Sequence, residues 1–147
     1  MTRALATSLI ATVLLAVPAW AQSSPVGLWK TIDDDGKTEK ALVRITEVGG
    51  GMLSGRIEKL LAADVKPDAK CDKCDDDRKD KPILGLEIIR NVSKDGDVWS
   101  GGTILDSAKG KIYKVRITPI EAGKKLEVRG YMGAPMFGRT QTWIRVE

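Results

Sequence analysis

Eight short strand-like runs, each set off by turn-forming residues, constrain this chain more than any other feature. They cover residues 26–32, 41–48, 52–60, 84–92, 97–105, 111–119, 125–131 and 140–146. Tyr113, Val115 and Ile117 alternate with Lys114, Arg116 and Thr118, and Val43 and Ile45 alternate with Leu42, Arg44 and Thr46. That period of two is what a strand shows when one of its faces is buried. The punctuation is equally regular. Asp33-Asp34-Asp35-Gly36, Gly49-Gly50-Gly51, Lys94-Asp95-Gly96 and Ala122-Gly123 supply residues that tolerate positive φ or cap a turn. Short hairpins in succession make a meander, and none of the runs requires a long helix. The fold expected is all-β: a single antiparallel up-and-down barrel of about eight strands, because closure removes the free sheet edges. At eight strands the interior is either filled by side chains or holds one small ligand. Gly101-Gly102, inside an otherwise strand-like run, predicts the bulge or sharp bend a small barrel needs to curve. Residues 61–83 break the pattern of short turns. This long polar loop bears both cysteines, with a short helical turn expected near residues 60–65, and loops of that length in compact domains tend to be functional or stapled.

The head of the chain is of another kind. Arg3 precedes an apolar stretch over residues 4–17, followed by Pro18 and the small-residue pattern Ala19-Trp20-Ala21. This is the layout of a secretory signal peptide over residues 1–21, cleaved after Ala21 to leave residues 22–147 as one barrel domain in the periplasm or outside the cell. The apolar stretch is shorter than the roughly 20 residues that span a bilayer. No cysteine follows at position 22 to be acylated, so no integral membrane association is expected after cleavage.

Composition narrows the chemistry. The formal charge is +4, Arg3 contributing one unit, and the remaining charges are interspersed. Residues 22–147 hold few aromatic side chains and no evident basic patch, so nucleic acid is not the expected partner. Histidine is absent, which removes Ser-His-Asp and Cys-His catalysis and histidine-ligated metal sites.

Cys71-Asp72-Lys73-Cys74 is the one compact chemical motif. In an oxidising compartment it reads first as a structural disulfide. A redox-active pair wants local cations to depress a thiol pKa, yet residues 70–81 carry five basic and five acidic side chains. Two sulfurs alone make an incomplete zinc site. Asp75-Asp76-Asp77 lacks the alternating spacing of a calcium loop, so neither a metal nor another cofactor is expected. Glu87 and Asp106 each abut strongly apolar residues, and a buried carboxylate needs a partner, which one of Arg44, Arg56, Arg90, Arg116, Arg129, Arg139 and Arg145 can provide. Trp29, Trp99 and Trp143 are read as core or barrel-end residues that can also line a pocket. The segment 130–139, with Met136 and Phe137, is apolar for a connection and is read as a plug or the mouth of a cavity.

Gly27-x-Trp29 near the start of the barrel and an arginine-bearing final strand resemble the lipocalin and fatty-acid-binding (calycin) pattern. That resemblance implies a tryptophan packed beside a late arginine at the closed barrel end, with Arg145 or Arg139 as the structural arginine. A broader similarity rests on the Cys71-x-x-Cys74 loop, Asp80-Lys81-Pro82-Ile83-Leu84-Gly85, Gly102-Thr103-Ile104-Leu105-Asp106, Val128-Arg129-Gly130 and Gly138-Arg139-Thr140-Gln141-Thr142-Trp143. Together these resemble the exported bacterial domain-of-unknown-function family 2147, which implies a lipocalin-like barrel and brings no established activity.

The leading functional reading is non-enzymatic binding of a small, partly apolar molecule inside the barrel. Trp29, Trp99, Tyr113, Tyr131, Phe137 and Trp143 are then the candidate apolar wall and Glu87 the candidate polar contact, with no residue assigned a catalytic role. The alternatives are an envelope structural or interaction protein with a filled barrel, and a thiol oxidoreductase using Cys71 and Cys74. Dense interior packing distinguishes the former, and a reactive thiolate at neutral pH the latter.

Overall fold

The computed structural model describes residues 23–147, and the expected signal peptide lies outside the described residues. Eight strands follow one another: β1 Gly27–Ile32, β2 Glu39–Val48, β3 Met52–Leu60, β4 Glu87–Asp95, β5 Val98–Asp106, β6 Lys111–Ile120, β7 Lys125–Tyr131 and β8 Gly138–Arg145. Each pairs antiparallel with the next, and β8 returns to β1 with Trp29 opposite Arg145, so the sheet is a closed barrel with strands in chain order. The seam continues past β8: Leu28 N–H donates to the Glu147 carbonyl at 2.9 Å and Val146 N–H to the Leu28 carbonyl at 2.8 Å.

Antiparallel order puts both chain ends of the barrel and the β2–β3, β4–β5 and β6–β7 turns at one end. The β1–β2, β5–β6 and β7–β8 turns gather at the other, with the long 61–86 connection. We call these the floor and the mouth. Alternation along each strand then defines the lumen. Trp29, Val43, Ile45, Ile89, Val92, Val115, Ile117 and Leu126 are all fully buried, and Trp143 is nearly so. Large side chains therefore fill the floor and the middle of the barrel, each worth roughly 1.5–3 kcal/mol when fully buried.

Glycine makes the curvature possible where β4 and β5 meet. The β5–β6 register shifts between Trp99 and Gly102, Gly101 has φ of +82°, and a Cβ on Gly102 would collide with the carbonyl of Arg90. The expected bulge is therefore present, and it is held by backbone against backbone. A second shift, between Gly55 and Arg56, bends β3 against β4, where Ile89 already occupies the space of a Gly55 side chain.

One expectation about the long connection is corrected. β4 begins at Glu87 rather than at residue 84, because Leu84 and Gly85 belong to a turn: Gly85 has φ of +86°, Leu86 N–H donates to the Ile83 carbonyl and Leu84 is exposed. Where a short helical turn is expected near residues 60–65, Leu60 ends β3 and one hydrogen-bonded turn follows, with Val65 N–H donating to the Ala62 carbonyl. The connection is otherwise a strap. It starts on β2, where Leu61 and Ala62 N–H donate to the Lys40 carbonyl, and it ends on β3 through Gly85 N–H to the Ile57 carbonyl.

Candidate functional site

The floor is sealed by β1, β8 and the residues just before the barrel. The Arg145 guanidinium lies 4.2 Å from the centre of the Trp29 ring, and Trp29 Nε1 donates to the Pro25 carbonyl at 2.7 Å. Arg145 also donates to the carbonyls of Gly123, Val26 and Ser24 at 2.6, 2.9 and 2.7 Å. Of the two arginines expected there, Arg145 takes the place. Arg139, three turns of alternation away on the same inward face of β8, stands at the mouth.

At the mouth, packing thins. Gln141 and Arg139 face Val128 and Gly130 across the β7–β8 ladder, and Tyr113 faces Ile104 across β5–β6. Ile104 stands opposite fully buried Ile89 and Gly130 opposite fully buried Val115, yet Ile104, Tyr113, Gly130 and Gln141 are only half-buried and Arg139 is exposed. Gly130 contributes no side chain, with Tyr113 Cβ and Ile104 Cγ2 lying 3.5 and 3.6 Å from where its Cβ would stand. The inward positions at the mouth are thus less covered than those nearer the floor, and they join apolar Ile104 and Tyr113 to polar Gln141 and Arg139.

The rim is ordered by a hydrogen-bonded chain that begins in the core. Trp143 Nε1 donates to Gln141 Oε1 at 2.9 Å, and Gln141 Nε2 donates to Asp34 Oδ1 at 2.9 Å. Arg139 Nη1 donates to the other oxygen, Asp34 Oδ2, at 2.9 Å. Asp34 sits in the β1–β2 turn, and the Gln141 amide followed by the Arg139 guanidinium holds its carboxyl below the usual carboxylate range. Turn chemistry occupies its neighbours: Asp33 accepts from Gly36 N–H, and Asp35 accepts from the Lys37 and Thr38 amides. The Asp33-Asp34-Asp35-Gly36 segment is thus the expected turn, with Asp34 turned into the rim. Its partners lie more than a hundred residues away in the chain, so only the barrel closure brings them together.

Several expected wall residues lie elsewhere. Phe137 is on the β7–β8 turn and 71% exposed, because an apolar side chain at a turn tip has no wall to pack on. Tyr131 points outward: Val128 and Gly130 take the inward positions of β7, and Tyr131 falls on the opposite face, across from Lys114. Glu87 also lies on the outer wall. The register shift beside Gly55 sets it opposite Arg56, which faces away from the lumen because the adjacent Ile57 faces in. There Glu87 accepts from Arg90 Nε at 2.6 Å and from the Ser54 hydroxyl at 2.5 Å, with Arg56 at 3.5 Å. Burial pushes its pKa up, and the Ser54 and Arg90 contacts outweigh this to leave it below the ordinary value. Two open clefts of about 480 and 400 Å³ flank this outer wall and share Arg56 and Leu84; neither is the lumen. Asp106 caps the β5–β6 turn through the Ala108 and Lys109 amides. Trp99 and Trp143 are buried in the core, where Trp29 joins them.

Cys71 and Cys74 form a disulfide with a Cα–Cα distance of 5.4 Å. Both are essentially fully buried and pack into one cluster with Ile83, Leu86, Ile88 and Leu105. Cys71 Sγ lies 3.7 Å from the Ser107 carbonyl, and Gly110 meets the Lys73 backbone so closely that a Cβ would collide with it. The disulfide therefore pins the strap against the β5–β6 turn. On the strap's other side Arg78, itself buried, donates to the Glu87 carbonyl at 3.0 Å and pairs with Asp76 at 2.7 Å, while Asp77 takes both Nη atoms of Arg90. Among the described residues no three acidic or sulfur side chains converge as metal ligands.

Comparison with solved structures finds the same architecture in a Helicobacter pylori protein described as belonging to the lipocalin family. The two share 19% sequence identity with a TM-score of 0.70, over 83% of this chain and 82% of that one. At that identity the likeness is one of fold: a lipocalin-like closed barrel. No curated protein matches the sequence. Residues 27–145, the barrel from the start of β1 to the end of β8, match the family described as "Uncharacterized protein conserved in bacteria (DUF2147)". With nearly the whole barrel so matched, the chain belongs to the bacterial family DUF2147.

Proposed function

We propose that this is an exported, non-enzymatic binding protein that holds a small, partly apolar molecule at the barrel mouth. The observation that carries the reading is the loss of burial at the inward positions Ile104, Tyr113, Gly130 and Gln141, on the mouth side of a filled floor. Lumen-facing residues in a barrel filled throughout have no reason to keep solvent contact. The site joins an apolar wall to a few fixed polar groups, the usual make-up of a small-molecule site. Trp143 touches it through Gln141, while Trp29 and Trp99 form its foundation. Export is supported by the Arg3, 4–17 and Ala19-Trp20-Ala21 pattern and by a disulfide, which forms in oxidising compartments.

A second reading, a filled-barrel interaction protein of the cell envelope, is favoured by the three tryptophans that occupy the lower lumen. Thiol exchange is disfavoured, because attack on a disulfide needs an accessible sulfur and both are buried. Native mass spectrometry of protein purified from its own cells separates the first two. An adduct that leaves on denaturation, and is missing from a Tyr113→Ala variant, is the expected result. A bare mass under every growth condition would shift the assignment to the filled-barrel reading.

A further inference from the structure

The outer wall at β6–β7 holds an arrangement that the barrel's own stability does not call for. Arg116 and Arg129 stand directly opposite each other in the ladder, and Lys114 lies next along the same face, opposite Tyr131. Like charges facing each other across strands are destabilising. Nothing on the flanking strands offsets them: Lys114 faces Thr103 on β5 and Arg129 faces Thr140 on β8. Among the described residues neither Lys114 nor Arg116 has an ion-pair partner, and Arg129 donates only to the Pro135 carbonyl and the Thr140 hydroxyl. Glu127, two residues along β7, is the acid on this face.

The stripe leads into a tip of the opposite character. Beyond Tyr131 the β7–β8 turn carries Met132, Met136 and Phe137 at 60, 75 and 71% exposure. Three large apolar side chains at one convex hairpin end are an exposed patch that asks for an apolar environment. From the tip inward the order is apolar turn, then tyrosine with Lys114 across from it, then the Arg116–Arg129 pair roughly 7 Å further along the strands at about 3.3 Å per residue. A bilayer surface has the same order of layers: acyl region, aromatic-rich interface, anionic headgroups. A flat acidic protein face would meet the cations and leave the protruding tip in water.

We propose that this face docks the protein peripherally on an anionic lipid surface, with Met132, Met136 and Phe137 entering the interface and Lys114, Arg116 and Arg129 meeting headgroup phosphates. The docking rests on the outer wall and the turn, and stands independently of what the mouth binds. It also brings the mouth within reach of molecules dissolved in the membrane, since the β7–β8 turn is one side of that mouth.

Co-sedimentation with vesicles tests it, using phosphatidylcholine alone and phosphatidylcholine mixed with phosphatidylglycerol. The N-terminus is verified by mass and is the same in every variant. Binding is expected only to the mixed vesicles, and to fall as salt is added. Lys114→Gln with Arg116→Gln should weaken it roughly 25-fold, about fivefold for each cation near a charged surface. Met136→Ser with Phe137→Ser should weaken it further, and Glu127→Gln should strengthen it about fivefold by the same rule. All these side chains are exposed, so unchanged urea midpoints are expected and confirm that the fold is not what is being read. Absence of binding to mixed vesicles, or binding unaffected by both double variants, would overturn the proposal. So would a dimer in sedimentation analysis that the Met136→Ser/Phe137→Ser variant dissolves, which would make a second copy the occupant of the face.

Discussion

At the scale of single residues, Arg145 shows how much one side chain can hold. Its guanidinium covers Trp29 and donates to three carbonyls, so it joins the last strand to the segment entering the first. A lysine keeps the charge but not the planar fork of donors, which makes the exchange non-conservative at a stacked site. Arg145→Lys should lower unfolding stability by about 2 kcal/mol, the order of a lost hydrogen bond from a charged donor; urea unfolding measures it. Acid should find a different set of residues. Asp77 is held at about 2 by both Arg90 Nη atoms, and Asp35 at about 2 by the Thr38 hydroxyl and amides of the turn. A carboxylate whose folded pKa lies below its unfolded value stabilises the fold above the unfolded pKa, and that contribution disappears as pH falls through the folded one. Stability should therefore drop between the ordinary carboxylate value of 3.8 and about 2. The slope of urea stability against pH in that window should be shallower in Asp77→Asn, where a neutral amide replaces the titrating group. Legibility at this scale followed locality. Trp29 and a late arginine, Arg145 or Arg139, were implied by the resemblance to the calycin pattern, and Cys71 with Cys74 could be read from spacing. Asp34 could not, because a turn aspartate looks the same whether or not a distant glutamine and arginine meet it. Glu87 misled for the converse reason: its apolar neighbours suggested burial in the lumen, while a bulge no residue pattern reports sends it outward.

Among the elements, the strap is the one whose behaviour depends on a covalent link. A disulfide acts mainly by restricting the unfolded chain, and the effect grows with the loop it closes. Here the cysteines are three residues apart, so Cys71→Ala with Cys74→Ala should destabilise by about 2 kcal/mol on loop-closure grounds alone. The strap is also tied by Arg78, Arg90 and its backbone bonds to β2 and β3, so the variant should remain a barrel. In the native protein, thiol labelling under reducing conditions should be slow until denaturant opens the strap. Fast labelling in buffer alone would mean that the burial of the sulfurs is not maintained in solution. The strands themselves were legible because alternation and turn residues are local signals, and β7 begins and ends where its pattern does. β4 was harder to place, as both of its faces are apolar and the preceding Leu84 continues the run without joining the ladder. A tight turn at Gly85 ends the strap there, and a glycine in an apolar run gives little sign of whether it bends a strand or precedes one.

For the whole molecule, barrel closure decides how much lumen remains. Eight strands enclose a space that side chains can fill, and the tryptophans and β-branched residues of this chain fill it from the floor to the level of Val115 and Ile89. Toward the mouth, burial falls at Ile104, Tyr113, Gly130 and Gln141, and Gly130 brings no side chain to the lumen there. Position 130 is therefore where binding and folding can be separated. Its backbone does not require glycine by a positive φ, and a Cβ there would meet its neighbours at ordinary contact distance. Gly130→Val should accordingly leave the urea midpoint within about 1 kcal/mol of the parent, the strand-favouring valine replacing a residue that weakens strands. The added methyl groups enter the lumen there, so the same variant should lose the dissociable adduct in native mass spectrometry and the accompanying change in tryptophan fluorescence. A variant that folds as the parent does and still carries the adduct would place the ligand outside the barrel, and the outer clefts beside Arg56 would become the next place to look.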